Sequence, residues 1–143
     1  WEGFYAASEH YREAGRTDLA VEFMMKAADG LISQYGNHPS ATYDNALALA
    51  SILLNNYREF AMAEDVYRRA IALRPESYAG IHELAATLQA DNRPSDALQA
   101  VLEYIQQQGA NDSAVADRDI LTNAMNRVEE ATREVLPEVP AEQ

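Results

Sequence analysis

No cysteine occurs among the 143 residues. Disulfides, thiolate nucleophiles and thiolate-bound zinc are thereby excluded, and either redox compartment suits the chain. Cations are scarce: Lys26 stands alone beside ten arginines, and Lys plus Arg total 11 against 23 Asp plus Glu, for a formal charge of −12. A nucleic-acid binder carries the opposite sign, because it must neutralise phosphates, and an anionic membrane surface repels this chain for the same reason. Long apolar runs are missing as well. The uncharged stretch from Asn45 to Tyr57 contains Asn45, Ser51, Asn55 and Asn56, and is too short and too polar to span a bilayer, so no direct membrane insertion is expected. No basic segment followed by an apolar one opens the chain, so no signal peptide is read. The chain starts at Trp1 rather than Met, as a processed chain or a fragment would; an upstream targeting or membrane segment is compatible with that, and localisation stays open.

Glycine (6) and proline (5) are also few, while alanine and leucine are frequent and 48% of the residues are apolar. This favours a helical domain with one continuous core over a turn-rich β fold. Chemical motifs are sparse. His10, His38 and His82 share no turn and form no spaced ligand set with carboxylates, so neither a metal nor any other cofactor is expected. The acid pairs Glu64-Asp65 and Glu129-Glu130 are sequence neighbours, which diverge by about 100° on a helix and so decorate a solvated face. No nucleophile elbow and no phosphate loop is present. The chain reads as no enzyme.

Periodicity is present instead. Ala20, Ala63 and Ala97 sit in similar contexts at steps of 43 and 34 residues, each shortly after a turn signal. Before each turn lies a segment with apolar or small residues at helical spacing: Phe4, Ala7, Ser8 and Tyr11; Leu47, Ala50, Ser51 and Leu54; Ile81, Leu84, Ala85 and Leu88. Each unit reads as helix, short turn, helix. Small residues permit close approach of antiparallel helices, so Ser8 is expected against Ala20, Ser51 against Ala63, and Ala85 against Ala97. Seven residues after each marker alanine stand Ala27, Ala70 and Tyr104. The large Tyr104 requires that the backbone part slightly there, or that the ring point elsewhere. After Gly109, the run Asn111-Asp112-Ser113 offers an N-cap to a last helix with Leu121, Ala124, Val128, Ala131 and Val135 along one stripe. Such a polar-backed helix suits a cap over the final unit. The tail 137–143 reads as flexible.

These three phased units resemble the tetratricopeptide repeat family. The second unit carries the likeness best, in Ala63, Tyr67, Ala70 and Pro75 within Ala-Glu-Asp-Val-Tyr-Arg-Arg-Ala-Ile-Ala-Leu-Arg-Pro. The first fits through Phe4, Ser8, Tyr11, Gly15, Ala20 and Ala27, and the third through Ile81, Leu84, Ala85, Leu88 and Ala97. The first runs on through Leu31-Ile32-Ser33-Gln34-Tyr35 and breaks at Gly36-Asn37-His38-Pro39, which looks like the longer repeats of the kinesin light chain type. The resemblance implies an all-α, right-handed superhelix of antiparallel helix hairpins, about seven helices in all. Its domain spans 1–136, with repeats at 1–34, 44–77 and 78–111 and a capping helix at 112–136.

The family geometry further implies a concave groove lined by the first helix of each repeat. Phase in the repeat places Tyr5, Glu9, Arg12, Ile52, Asn55, Asn56, His82 and Gln89 there as the expected partner contacts. The function so implied is non-catalytic protein–protein interaction, as a scaffold or adaptor gripping a partner segment. The alternative is a permanent structural or assembly subunit of a larger complex, held by its outer face or last helix. Net charge is −3 over residues 1–34, −1 over 44–77, −3 over 78–111 and −5 from Asp112 onward. A protein or peptide partner of basic character suits those ends, and the apolar ends of a three-repeat array allow self-association.

Overall fold

The computed structural model describes residues 1–135; the expected flexible tail, 137–143, lies outside them. Seven α-helices and no strands occur among the described residues: α1 (Glu2–Glu13), α2 (Thr17–Ser33), α3 (Pro39–Tyr57), α4 (Phe60–Leu73), α5 (Tyr78–Ala90), α6 (Pro94–Gln108) and α7 (Asp112–Val135). Consecutive helices pack against one another along the chain, giving a solenoid of three hairpins closed by α7. Pro39 and Pro94 open α3 and α6, where a missing N–H costs nothing. Helix α3 thus begins five residues ahead of Asp44, the start of the second unit by sequence phase.

The three hairpin turns are built alike. Gly15, Arg58 and Asn92 each adopt the left-handed region, at φ 76°, 56° and 60°. They fall at the same place in the three units, steps of 43 and 34 residues apart. After α1 and α5 the chain closes by the same pair of bonds. Gly15 N–H donates to Arg12 O and Arg16 N–H to Tyr11 O, as Asn92 N–H does to Gln89 O and Arg93 N–H to Leu88 O. After α3 the closure is wider, with Arg58 N–H on Leu54 O and Glu59 N–H on Leu53 O.

The core is small-residue packing, as the alanine phasing requires. Ala20, Ala63 and Ala97 are wholly buried, with Met24, Leu53, Val66, Leu84, Leu88 and Val101 around them. Ser8 is buried too, and its hydroxyl donates to Ala20 O at 2.7 Å, so the close α1–α2 approach leaves no orphan polar atom. The tyrosines, none of which is fully exposed, tie successive hairpins together. Tyr35 donates to Leu73 O at 2.9 Å, Tyr43 to Ser77 Oγ at 3.0 Å and Tyr104 to Glu76 O at 3.0 Å. Gly80 sits where α5 crosses Tyr43: its N–H donates to the Tyr43 hydroxyl at 2.9 Å.

The two layers of the solenoid are not evenly closed. In the even-numbered layer α2 touches α4, but no Cα of α4 lies within 8 Å of one in α6. In the odd-numbered layer α3 touches α5 and α5 touches α7, but α1 and α3 stay apart by the same measure. Tyr104 lines the α4–α6 gap. Its counterpart on α4 is Ala70, small enough for α4 to lie close to α2. The Tyr104 ring instead points towards the α4–α5 turn, where its hydroxyl bonds Glu76 O, and lies 4.9 Å from the Tyr78 ring, while α5 and α6 remain packed.

Asn111 caps α7 as its sequence suggests, accepting the Ala114 N–H at 2.8 Å on its side-chain oxygen. The stripe on α7 covers less than the capping reading expects. Ala114 and Leu121 are buried and Ala124 is half-buried, but Val128, Ala131 and Val135 are exposed. The reason is length. Helix α7 has 24 residues and α5 only 13, or about 36 Å against about 20 Å, so the end of α7 overhangs the body.

Candidate functional site

The eight candidate groove residues lie on α1, α3 and α5, all in the odd-numbered layer, and the structure treats them in three groups. On α1, Tyr5 is half-buried beneath Trp1, with ring centroids 6.3 Å apart. Glu9 and Arg12 face each other as an i, i+3 ion pair at 2.8 Å. That pair raises the Arg12 guanidinium above its ordinary value through the hydrogen bond and charge of Glu9. Arg12, the one cation of the set, is therefore already neutralised.

On α3, Ile52 is half-buried, and Asn55 and Asn56 are exposed in the last turn. Asn55 donates to Ser51 Oγ at 3.0 Å, one turn back. The backbones of α1 and α3 stay apart, with no Cα pair within 8 Å. The half-buried Tyr57 at the end of α3 has a buried hydroxyl with no partner.

On α5, His82 and Gln89 do share a cavity. It holds about 160 Å³ and is walled by His82, Ala85, Ala86 and Gln89 from α5 and by Asp117, Ile120 and Leu121 from α7. A second cavity of about 520 Å³ adjoins it, lined by Tyr78, Ala79, His82, Ser113, Ala116 and Asp117. His82 and Asp117 belong to both and partition them. Asp117 Oδ2 accepts from the Tyr78 hydroxyl at 2.5 Å and lies 2.6 Å from His82 Nδ1. A carboxylate accepts, so Nδ1 carries the proton and Nε2 is left for the groove. Burial, with the Asp117 hydrogen bond added, raises the Tyr78 phenol above its ordinary value, which keeps it a donor.

Asp117, Tyr78, Ser113 and Ile120 are functional candidates that the phase of three repeats does not name. A signal for part of this set exists. A further step of 34 residues carries Ala79, His82 and Ala86 onto Ser113, Ala116 and Ile120, so α7 continues the odd-numbered layer as well as capping it. The Asp117–His82 contact spans 35 residues of sequence and has no local signature.

Behind this wall lies a half-buried acid. Glu83 on α5 has one side-chain oxygen, Oε2, out of solvent and without a partner. Burial pushes its carboxyl above the ordinary range, against the opposing effects of a Tyr67 hydrogen bond and the His82 charge. The Tyr67 phenol is raised in turn, by burial first and then by the Glu83 charge. On the opposite layer Glu64 shows the contrary balance. Burial acts to raise it, yet hydrogen bonds from Arg93 and Arg68 prevail and hold it below the ordinary range. The Arg93–Glu64 contact, at 2.6 Å, joins the α5–α6 turn to α4.

The whole arrangement offers binding chemistry: small apolar walls (Ala79, Ala86, Ala116), one oriented imidazole, amides and a hydroxyl. Among the described residues no helix is long and apolar enough to cross a membrane. No known family model matches the chain, and no curated protein matches it.

Proposed function

We propose that this chain is a non-catalytic protein–protein interaction module of tetratricopeptide-like build, taking a partner segment along its odd-numbered layer. The observation that carries the reading is the pair of adjoining cavities between α5 and α7, divided by His82 and Asp117. Alternating small hollows beside oriented polar groups suit successive side chains of a peptide, whose backbone the exposed amides of Asn55, Asn56 and Gln89 can bond. Tyr5, Glu9 and Arg12 extend that surface towards the first hairpin. The acidic balance of the chain favours a basic partner.

The test is capture of partners from the native source by immobilised wild-type protein and by two groove variants, Ala86→Arg and Asn55→Ala with Asn56→Ala. Both variants alter exposed positions. Partners retained by wild type and lost by both variants support the groove, while undiminished capture by both removes it.

A second reading, a structural subunit held by its outer face or last helix, is favoured by one separate observation. The overhanging end of α7 exposes Val128 and Val135. Partners lost on Val128→Asp with Val135→Asp, and kept by the groove variants, identify that arrangement.

A further inference from the structure

Asp117 stands in the wall shared by the two α5–α7 cavities with only one of its oxygens in use. Tyr78 and His82 both bond Oδ2. Oδ1 bonds no group among the described residues and is not sealed from solvent. Nor does any lysine or arginine there pair with this carboxylate. Arg118, next along α7, is held by Asp119 at 3.2 Å, and the chain's single lysine, Lys26, lies 3.4 Å from Glu22. Half-burial removes part of the water that would screen such a charge, so a cation brought to Asp117 is attracted more strongly than at an open surface.

The larger cavity has the chemistry to receive one. Its apolar wall, Tyr78, Ala79 and Ala116, suits a methylene stem. Its polar wall offers acceptors: Asp117 Oδ1, the Ser113 hydroxyl, and Nε2 of the neutral His82 ring. An ammonium carries three donors and needs one carboxylate oxygen. A guanidinium grips a carboxylate by both oxygens, and here Oδ2 is already taken by Tyr78 and His82.

One effect opposes a cation. The cavity adjoins the first turns of α5 and α7, whose free N–H groups amount to about half a positive charge each and act within a turn. Two of those groups already face acceptors, Gly80 N–H on the Tyr43 hydroxyl and Ala114 N–H on the Asn111 side chain. Asp117, the sixth residue of α7, stands beyond the first turn, and its whole charge at contact prevails.

We infer that the larger cavity takes a lysine side chain of the partner segment, with the ammonium on Asp117 Oδ1 and the stem along Tyr78, Ala79 and Ala116. This rests on the groove reading and names the side chain that the groove selects.

The test is an NMR titration of the backbone amides with an acetylated peptide amide, lysine between two alanines on each side, taken to about 10 mM, where weak specific contacts register. The same peptide with norleucine or arginine in place of lysine is compared. The lysine peptide is expected to shift the first turns of α5 and α7 along a saturating curve. It is expected to bind at least tenfold tighter than the norleucine peptide and at least threefold tighter than the arginine one. Asp117→Asn, which keeps an acceptor for Tyr78 and His82, is expected to weaken the lysine peptide at least tenfold. Ala116→Lys, at an exposed position of the cavity wall, sets the chain's own ammonium there and is expected to do the same; it decides the matter if the first variant does not fold. Equal binding of the norleucine peptide, or binding of the arginine peptide as tight as that of lysine, overturns the inference. So do shifts spread over the acidic surface, binding that survives both variants, or no saturable binding at all. None of these results removes the groove itself, which partner capture by Ala86→Arg judges separately.

Discussion

Tyr78 and His82 both bond one oxygen of Asp117, Oδ2, at 2.5 and 2.6 Å. One carboxylate therefore fixes two side chains of α5 against α7. Removing it leaves the half-buried Tyr78 hydroxyl without its acceptor, a loss of about 1–3 kcal/mol. Asp117→Ala is expected to destabilise by that amount in urea unfolding. Tyr78→Phe removes the donor and its need together, and is expected to cost less. If the two variants cost the same, the carboxylate does not hold the seam.

The two half-buried acids act in opposite directions with pH. Glu83 is held above its ordinary range, so at neutral pH the folded state bears an unfavourable buried charge, and that penalty fades as pH falls through the folded value. Glu83→Gln is therefore expected to raise stability at pH 7 and to match wild type at low pH. Glu64 is held below its ordinary range. Its contribution is present above the unfolded carboxylate range and disappears as pH falls through the folded value, so Glu64→Gln lowers stability at pH 7 and has no such effect in acid. Denaturant midpoints of both variants across pH check the two signs together.

Gly80 has no room for a side chain. A Cβ there would lie 2.8 Å from Ile71 Cγ1 and 2.9 Å from the Tyr43 hydroxyl, the same hydroxyl that accepts the Gly80 N–H. Gly80→Ala is expected to destabilise by about 1–3 kcal/mol through overpacking, although alanine is the better helix former. A thermal unfolding temperature at or above that of wild type would refute the close approach.

Arg58 occupies the left-handed region that Gly15 occupies without strain. The conformation costs an L-residue about 1–2 kcal/mol. Stacking of the guanidinium over Phe60, at 4.8 Å, returns about 0.5–1 kcal/mol of it. Arg58→Gly is thus expected to stabilise by a few tenths of a kcal/mol, and Gly15→Ala to destabilise by about 1 kcal/mol. Thermal unfolding of both variants measures the contrast.

Much of the fold was legible because its determinants are local and periodic. Alanine phasing located three hairpins, and the Asn111 cap located the start of α7. Tyr104 stood out by size alone, although whether its ring would spread the helices or turn aside depended on free space beside Tyr78 and Glu76. The reach of α7 was harder to read. Its stripe continues in phase through Val135, but burial depends on how far α5 and α6 extend, and both stop earlier. Among the candidate groove residues, His82 and Gln89 came together because α7 supplies the far wall of their cavity. Tyr5, Glu9 and Arg12 could not be placed against Ile52, Asn55 and Asn56 by phase, since the longer connection after α2 changes the spacing of the first two hairpins. The Asp117 contacts were hidden for a different reason: they join helices through polar atoms that no apolar pattern records.

The uneven closure of the two layers has a mechanical consequence. A stack of helices yields where neighbours in a layer do not touch, and here the two such places lie on opposite faces, between α1 and α3 and between α4 and α6. The α2–α4 and α3–α5 contacts brace the middle of the molecule within both layers, while each end is braced within one layer only.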